Sequence, residues 1–360
     1  KKYMNDVLSL DVQSGDGKYT HLCHTYLKKY TKGSSPFLTT SCTHSLEMAA
    51  LLLDIQQGDE IIMPSFTFVS TANAFLLRGA KIIFCDSHKN NPNMDINHVE
   101  SLITTRTKAI IPVHYAGISC QMDELVSMGI THNIKIIEDA AQGIGATYKN
   151  RPLGTIGDIG CLSFHDTKNI SCGEGGTIFI NDTSLKLKAE ILREKGTNRA
   201  AYLRGEIVKY GWKSLGSSYL LSDILAAKLL SQLEALEQIT QRRKIIWQHY
   251  YDSLQALESD GKCSLPIIPE YANHNGHMFY LVCRNEKERS DLLTHLRENQ
   301  IQSTFHYLSL HQSDYFKNKY SGDQLPNSDR FTDCLLRLPL HLHLNSGNQK
   351  KVIDKIISYY

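Results

Sequence analysis

Two side chains could do chemistry together in this sequence: Lys168 and, 29 residues upstream, Asp139. Lys168 sits within GDIGCLSFHDTKNISCGEGGTIFIN, residues 157–181. There the apolar run from Ile159 to Phe164 predicts a buried strand, and the polar turn after it holds the lysine. Gly173, Gly175 and Gly176 then lead into a second strand over Thr177 to Ile180. A lysine just past a strand end, beside a glycine-rich turn, stands where α/β proteins bind ligands. Alone, it could as well be a solvated surface lysine. Asp139 closes IKIIED, where Ile134, Ile136 and Ile137 predict a β-branched strand with Glu138 and Asp139 at its carboxyl end. Alone, that acid could cap the next helix. As a pair they meet the demands of pyridoxal phosphate (PLP), which needs a lysine for a Schiff base and a carboxylate for its pyridinium nitrogen. The charged ring nitrogen is what makes the ring an electron sink, so the acid has to be buried and ionised. Gln142, three residues on, is placed to bond the ring hydroxyl.

The elements that must position this pair alternate along the chain. Tyr19 to Tyr30 predicts a helix and Phe37 to Thr40 a short strand. TSCTHSLEMAALLLDI then turns straight into a helix with Leu46, Ala49, Ala50 and Leu53 on one face. The first amides of such a helix form a ready anion site, or an ordinary N-cap. Glu60 to Met63 is a strand, and PSFTFVSTANAFLLRGA carries the next helix. Phe68 at its start either lies flat against a cofactor or fills the core. Further strands are expected at Lys81 to Cys85 and Ala109 to His114, with helices near Val99 to Ile103 and over Met122 to Met128. This order predicts crossover units of a mostly parallel sheet.

Beyond Lys168, Ser184 to Lys195 predicts a helix ending at Gly196. The irregular stretch that follows is rich in Gly, Arg and Tyr, and loops of that length are functional or disordered. Its Arg199, Arg204, Lys209 and Lys213 either meet a diphosphate or are solvated. One long helix is expected from Ser222, with Leu225, Leu229, Leu233 and Leu236 along it, running past Trp247. The division is then a large α/β domain over residues 1–240 and a small α+β domain over 241–360. In the second, strands are expected at Met278 to Cys283 and at Ile301 to Tyr307, the latter ending in His306 and Tyr307. A helix lies over Arg289 to Glu298, and a closing helix sets Val352, Ile353, Ile356, Ile357 and Tyr360 on one face.

Composition removes several classes of function. The 360 residues, 41% hydrophobic and 21% charged, suit a globular enzyme. A net charge of +2 without a basic block gives no nucleic-acid signature. No apolar run nears the ~18 residues of a membrane span, and no secretory signal opens the chain. The chain begins at Lys1 without a methionine, so its natural start is expected to lie upstream. Nine cysteines without a CxxC pair indicate reduced thiols and a cytoplasmic setting. Sixteen histidines raise a metal site, but no HExxH-type spacing supports one. His341 and His343 alternate along a strand-like run instead, and no metal is expected. No GxGxxG opens the first strand–helix unit and no P-loop occurs, against a nicotinamide or nucleoside-triphosphate enzyme.

With TTSCTHSLEMAA, PSFTFVSTANA, VHYAG, EDAAQG, GxxSFHxTKN with GEGG, and REKGTN in this order, the sequence resembles the DegT/DnrJ/EryC1/StrS sugar aminotransferases over nearly its whole length. The resemblance implies fold type I of the PLP-dependent transferases, aspartate aminotransferase-like, with a mostly parallel seven-stranded sheet and a smaller C-terminal α+β domain. It implies that Lys168 is the Schiff-base lysine, Asp139 the pyridinium partner and Gln142 the contact to the ring hydroxyl. Phe68 would stack on the ring. Thr43 and the amides of Cys42 and His44 would cradle the phosphate, joined by Ser163. A partner subunit would add one more contact, from a motif resembling GYNYRMSD. Here it reads GSSYLLSD, with Ser218 for the usual asparagine and Leu220 for the usual arginine. The HYxPLH motif reads HYLSLH and makes His306 and Tyr307 substrate-side groups, with Arg199 and Lys209 on the long loop as further candidates. The implied reaction moves an amino group from glutamate to C4 of a dTDP-linked 4-keto-6-deoxy sugar for surface polysaccharide such as O-antigen, in a homodimer with shared sites. Amination at C3, or of a UDP-linked sugar, is the alternative. Lys168 argues against dehydratase relatives that lack the lysine. A non-catalytic PLP-binding sensor or scaffold lacks the DNA-binding appendage that would support it.

Overall fold

Short apolar runs, several of them isoleucine-rich, pair into one sheet in the computed structural model, which describes residues 1–360. Its strands are β1 (Ser35–Thr39), β2 (Glu60–Pro64), β3 (Lys81–Cys85), β4 (Thr107–Ile110), β5 (Lys135–Asp139), β6 (Ile159–Ser163) and β7 (Gly176–Ile180). They lie in the order β1-β7-β6-β5-β4-β2-β3. β6, β5, β4, β2 and β3 pair in parallel, while β7 runs antiparallel to both its neighbours. β2, β6 and β7 are buried at every position, as strands of a sheet covered on both faces must be. Two apolar clusters provide those covers, one around Leu162, Phe164 and Phe179 and one around Ile61, Ile159 and Ile178.

The helices are α1 (Lys18–Tyr30), α2 (Cys42–Leu52), α3 (Val69–Leu76), α4 (Met122–His132), α5 (Lys186–Arg193), α6 (Asp223–Leu233) and α7 (Leu236–Ser259). The fully buried Asp223 anchors α6 to the start of α1, accepting from the amides of Tyr19 (2.9 Å) and Thr20 (2.7 Å) and from the Thr20 hydroxyl. A carboxylate there also faces the positive end of each helix.

From Ile246 onward a third apolar cluster forms, around Trp247, Tyr250, Phe279, Leu281 and Leu336. It packs on an antiparallel sheet of β8 (Cys263–Ser264), β9 (Phe279–Cys283), β10 (Thr304–Phe305) and β11 (Leu335–Leu338), in the order β8-β9-β11-β10. Helices α8 (Glu286–Glu298) and α9 (Ser346–Ile357) complete it. No helix is long and apolar enough to cross a membrane.

Several expectations need correction. The single helix from Ser222 is two, broken at Ala235 (φ −96°, ψ 5°). Leu229, Leu233 and Leu236 face the large sheet's cluster, whereas Ile246, Trp247 and Tyr250 face the third, so the break re-aims the apolar stripe between cores. The strand at 301–307 shrinks to two exposed residues on a sheet edge. β4 stops at Ile110, before Pro112, which has no amide to give the ladder. β11 likewise stops before Pro339, so His341 and His343 follow in a turn closed by the Leu344 amide on the His341 carbonyl (3.0 Å). Ile357 is exposed, because α9 buries Val352, Ile353 and Ile356 instead. The long loop after Gly196 holds a short helix, Arg199–Leu203.

Candidate active site

The parallel register pairs Cys161 of β6 with Asp139 of β5. Asp139 therefore ends its strand beside the segment that, seven residues later, carries Lys168. Both open into one cavity of ≈530 Å³ at the carboxyl ends of these strands. Of the residues singled out by sequence, Cys42, Thr43, Phe68, Asp139, Gln142, Ser163, Lys168, His306 and Tyr307 line it.

Asp139 is almost wholly buried. Its Oδ2 accepts from the Thr71 hydroxyl of α3 (2.7 Å) and its Oδ1 from the Ala141 amide (3.1 Å), so two donors fix the carboxylate. Burial pushes the Lys168 ammonium below the usual lysine range against the opposing pull of Cys42 and Asp139, and the Arg337 charge lowers it further. The ammonium form of Lys168 is thereby weakened beside the anchored Asp139 side chain.

The start of α2 forms a wall of the cavity. Ser41 caps it, its hydroxyl accepting from the His44 amide (3.1 Å). That amide is thus already satisfied, and the His44 ring turns aside to Thr40 and Tyr219. The Cys42 and Thr43 amides remain open to an anion at the positive helix end. β7 passes close beneath: a Cβ on Gly176 would stand 2.5 Å from the Ser41 carbonyl carbon and 2.6 Å from the Cys42 nitrogen. The Thr43 hydroxyl donates to Ser70 (2.8 Å).

Phe68 caps α3 and is 55% exposed, with its ring 6.1 Å from that of Tyr307. It is a wall of the cavity and not a core residue. Gln142 is held at both ends, accepting from the Ala116 amide (2.6 Å) and donating to the Tyr307 hydroxyl (3.1 Å). Its carbonyl and that of Ile144 accept from Nδ2 of the fully buried Asn275, both at 2.7 Å. Asn275 Oδ1 accepts from the His277 amide (3.0 Å), and its carbonyl from Asn169, next to Lys168 (3.1 Å). One asparagine thus ties the Gln142 and Lys168 segments together. The Tyr115 hydroxyl meets His306 Nδ1 at 3.1 Å. Burial, with the Arg337 and Lys168 charges, holds His306 far below the usual histidine value, and His277 is lowered similarly.

Four sequence candidates lie outside this cavity: His44, whose ring and amide are engaged as described, and Ser218, Arg199 and Lys209. Ser218 is exposed and pairs with Glu194 in an isolated bridge. Arg199 lies 3.9 Å from Glu194, and Lys209 is exposed on the long loop. Conversely, Thr71, His277 and Arg337 line the cavity unforeseen. Thr71 carried a faint signal, three residues after Phe68 on the same helix face. Arg337 carried a stronger one, as the lone charge within CLLRLPL.

An amine, an anchored carboxylate, open amides at a helix start and an exposed aromatic wall fit the ring, phosphate and aldehyde of PLP. The model of the DegT/DnrJ/EryC1/StrS aminotransferase family matches residues 1–357. The chain is 32% identical over 325 residues to the spore coat polysaccharide biosynthesis protein SpsC of Bacillus subtilis, covering 88% of this chain and 83% of that one. DesV of S. venezuelae superposes with a TM-score of 0.91 at 28% identity, over 99% of this chain and 93% of that one. Spr1654 of Streptococcus pneumoniae, solved in PLP and PMP forms, gives 0.90 at 25% identity, over 99% of this chain and 95% and 94% of those chains. The chain belongs to the DegT/DnrJ/EryC1/StrS family and is a PLP-dependent sugar aminotransferase of fold type I.

Proposed function

We propose that this enzyme transfers the amino group of L-glutamate to C4 of a dTDP-linked 4-keto-6-deoxyhexose, giving dTDP-4-amino-4,6-dideoxygalactose. KGTNRAAYLRGEIVKYGW, GSSYLLSD and HMFY resemble the transaminase that makes this sugar. The product would serve a surface polysaccharide, in keeping with SpsC, a spore coat polysaccharide biosynthesis protein. The observation that supports the chemistry best is the convergence of Lys168 and Asp139 on one cavity beside the start of α2.

Bound PLP supplies an electron sink for the pair left when a C–H bond next to nitrogen is broken. In this reading Asp139, fixed by Thr71 and Ala141, holds the ring nitrogen charged. The Cys42 and Thr43 amides and the Ser163 hydroxyl hold the phosphate. Phe68 covers one ring face and Gln142 fixes the ring hydroxyl. Lys168 Nζ, whose hold on its proton burial weakens, would accept the proton from the donor's α-carbon and return it to the carbon on the other side of the nitrogen. Such positioned transfer is worth roughly a hundredfold to ten-thousandfold. His306 and Tyr307 face the substrate. Ser218, exposed outside its own cavity, reaches the phosphate of a second subunit in a homodimer, and Arg199 and Lys209 meet the nucleotide diphosphate.

Mass spectrometry of products from a panel of dTDP- and UDP-linked keto sugars with glutamate tests the reading. Ping-pong kinetics and a product aminated at C4 of the dTDP sugar are expected. Amination only at C3, or only of UDP sugars, overturns the substrate assignment. Turnover that persists in Lys168→Ala overturns the mechanism.

A further inference from the structure

Lys168 rides on a loop that leaves β6 and returns into β7, and backbone bonds close that loop. The Phe164 amide donates to the Gly175 carbonyl (2.8 Å), the Asp166 amide to Gly173 (3.0 Å), the Cys172 amide to Phe164 (3.0 Å) and the Lys168 amide to His165 (2.9 Å). His165 and Glu174 stand on its two limbs, and both line the cavity that holds Lys168. Their side chains are 44% and 65% exposed, so each can be reached from solvent. His165 Nδ1 accepts from the Thr167 amide (3.2 Å), which puts the proton of the neutral ring on Nε2. That nitrogen lies 3.5 Å from Glu174 Oε1. Deeper in the cavity the polar groups have protein partners: Asp139 has Thr71 and Ala141, Gln142 has Ala116 and Tyr307, and His277 has Asn169. The mouth instead offers an N–H donor and an anionic acceptor side by side.

We propose that His165 and Glu174 together bind a ring hydroxyl of the sugar acceptor. The inference rests on the nucleotide-sugar aminotransferase reading and adds to it the groups that recognise the sugar itself. A carboxylate repels the donor's carboxylates and a nucleotide diphosphate, so Glu174 selects a neutral group with an O–H to give. The imidazole N–H selects an oxygen with a free lone pair. A hydroxyl is both at once. With the two side-chain atoms 3.5 Å apart, one hydroxyl oxygen can lie about 2.8 Å from each. The place also fits, because the ketone must come to Lys168 and the pyranose carries its hydroxyls on the carbons around it. The bond to the ionised Glu174 is the stronger of the two.

The test compares dTDP-glucose with dTDP on the PLP-loaded enzyme, so that the difference between the two Kd values reports the sugar ring alone. By calorimetry, Glu174→Ala should raise the Kd of dTDP-glucose roughly tenfold to a hundredfold, and His165→Phe about fivefold. The Kd of dTDP should stay within about twofold in both. If wild type prefers uridine nucleotides, UDP-glucose and UDP serve as the pair, with the same factors expected. Stopped-flow mixing with glutamate alone, read as the colour change of the bound cofactor, separates sugar recognition from support of the Lys168 loop. A slower colour change with an unchanged dTDP-glucose Kd means that the two residues only hold that loop, and overturns the proposal. So does a Kd for dTDP-glucose within twofold of wild type in both variants, or one that rises only in step with that of dTDP. Wild-type enzyme that binds neither sugar nucleotide overturns the proposal and the nucleotide-sugar reading together.

Discussion

Replacing Gly117 with alanine tests whether the site is held together through Asn275. Gly117 has φ +72°, and a Cβ built there would overlap Asn275 Oδ1 and come within 2.7 Å of its Cγ. Asn275 is fully buried, so its amide cannot swing away without abandoning bonds to the Gln142 and Ile144 carbonyls and from the His277 amide. Three such bonds at about 1 kcal/mol each, with about 1–2 kcal/mol for a left-handed alanine, give a loss of about 4–5 kcal/mol. At about 2.1 cal/mol/K per residue over 360 residues, the unfolding entropy is about 0.76 kcal/mol/K. Tm should then fall by about 6 °C. Gly205→Ala is the control, since it has φ +75° and nothing within 4 Å of its added Cβ. It carries only the backbone strain and should lose about 2 °C. Scanning calorimetry of the PLP-loaded proteins gives both values, and dialysis against cofactor-free buffer should show faster PLP loss from Gly117→Ala alone. Equal Tm losses in the two variants would falsify the argument, because the Asn275 contact would then add nothing beyond strain.

Thr71→Val removes the hydroxyl that donates to Asp139 Oδ2. A hydrogen bond to a charged group is worth about 1.5–3 kcal/mol, so PLP affinity and turnover should drop about ten- to a hundredfold; Thr71→Ser should restore most of it, and equal losses in both variants reject the role. Ser41→Ala deletes the cap of α2, which should cost about 1 kcal/mol; a melting curve unchanged in the variant contradicts the capping geometry. Lys168→Met bears on pH. Unfolded lysine keeps its proton up to about pH 10.4, while buried Lys168 releases it at lower pH. Between those values unfolding takes up a proton, so the stability of the cofactor-free wild type should rise with pH. Relative to Lys168→Met it should lose ground as pH falls and regain it towards pH 10; a difference constant across urea melts at several pH values rules this out.

The placement of Lys168 and Asp139 at one cavity was legible because Asp139 ends a short apolar run and Lys168 follows closely on another, and local patterns report strand ends well. The cavity wall from α2 and α3 was legible for the same reason, since both helices start directly after a strand. What sequence could not show is which groups are already satisfied. The His44 amide was assigned to the phosphate, yet the hydroxyl of Ser41, three residues earlier, holds it. The break at Ala235 was hidden because Glu234 and Ala235 are good helix formers, and only the separation of two apolar clusters forces the turn. The segment at 301–307 has strand-forming residues, but an edge position lets just two of them pair. Arg337 was missed because its placement beside Lys168, 169 positions away in the sequence, depends on how the β9–β11 sheet meets the larger one.

The charges around the cavity limit which group can move protons. His277 and His306 look like natural acid–base residues, but burial and the nearby cations keep both uncharged near neutrality. Each also has a ring nitrogen already engaged, His277 Nδ1 with Asn169 (3.0 Å) and His306 Nδ1 with Tyr115 (3.1 Å). Burial pushes the Tyr307 phenol well above its ordinary range, and its oxygen accepts from Gln142. Burial instead weakens the hold of Lys168 on its proton, the direction needed by a base that must both take and return one. The pairing of β5 with β6 is what sets Asp139 beside the segment that carries this amine.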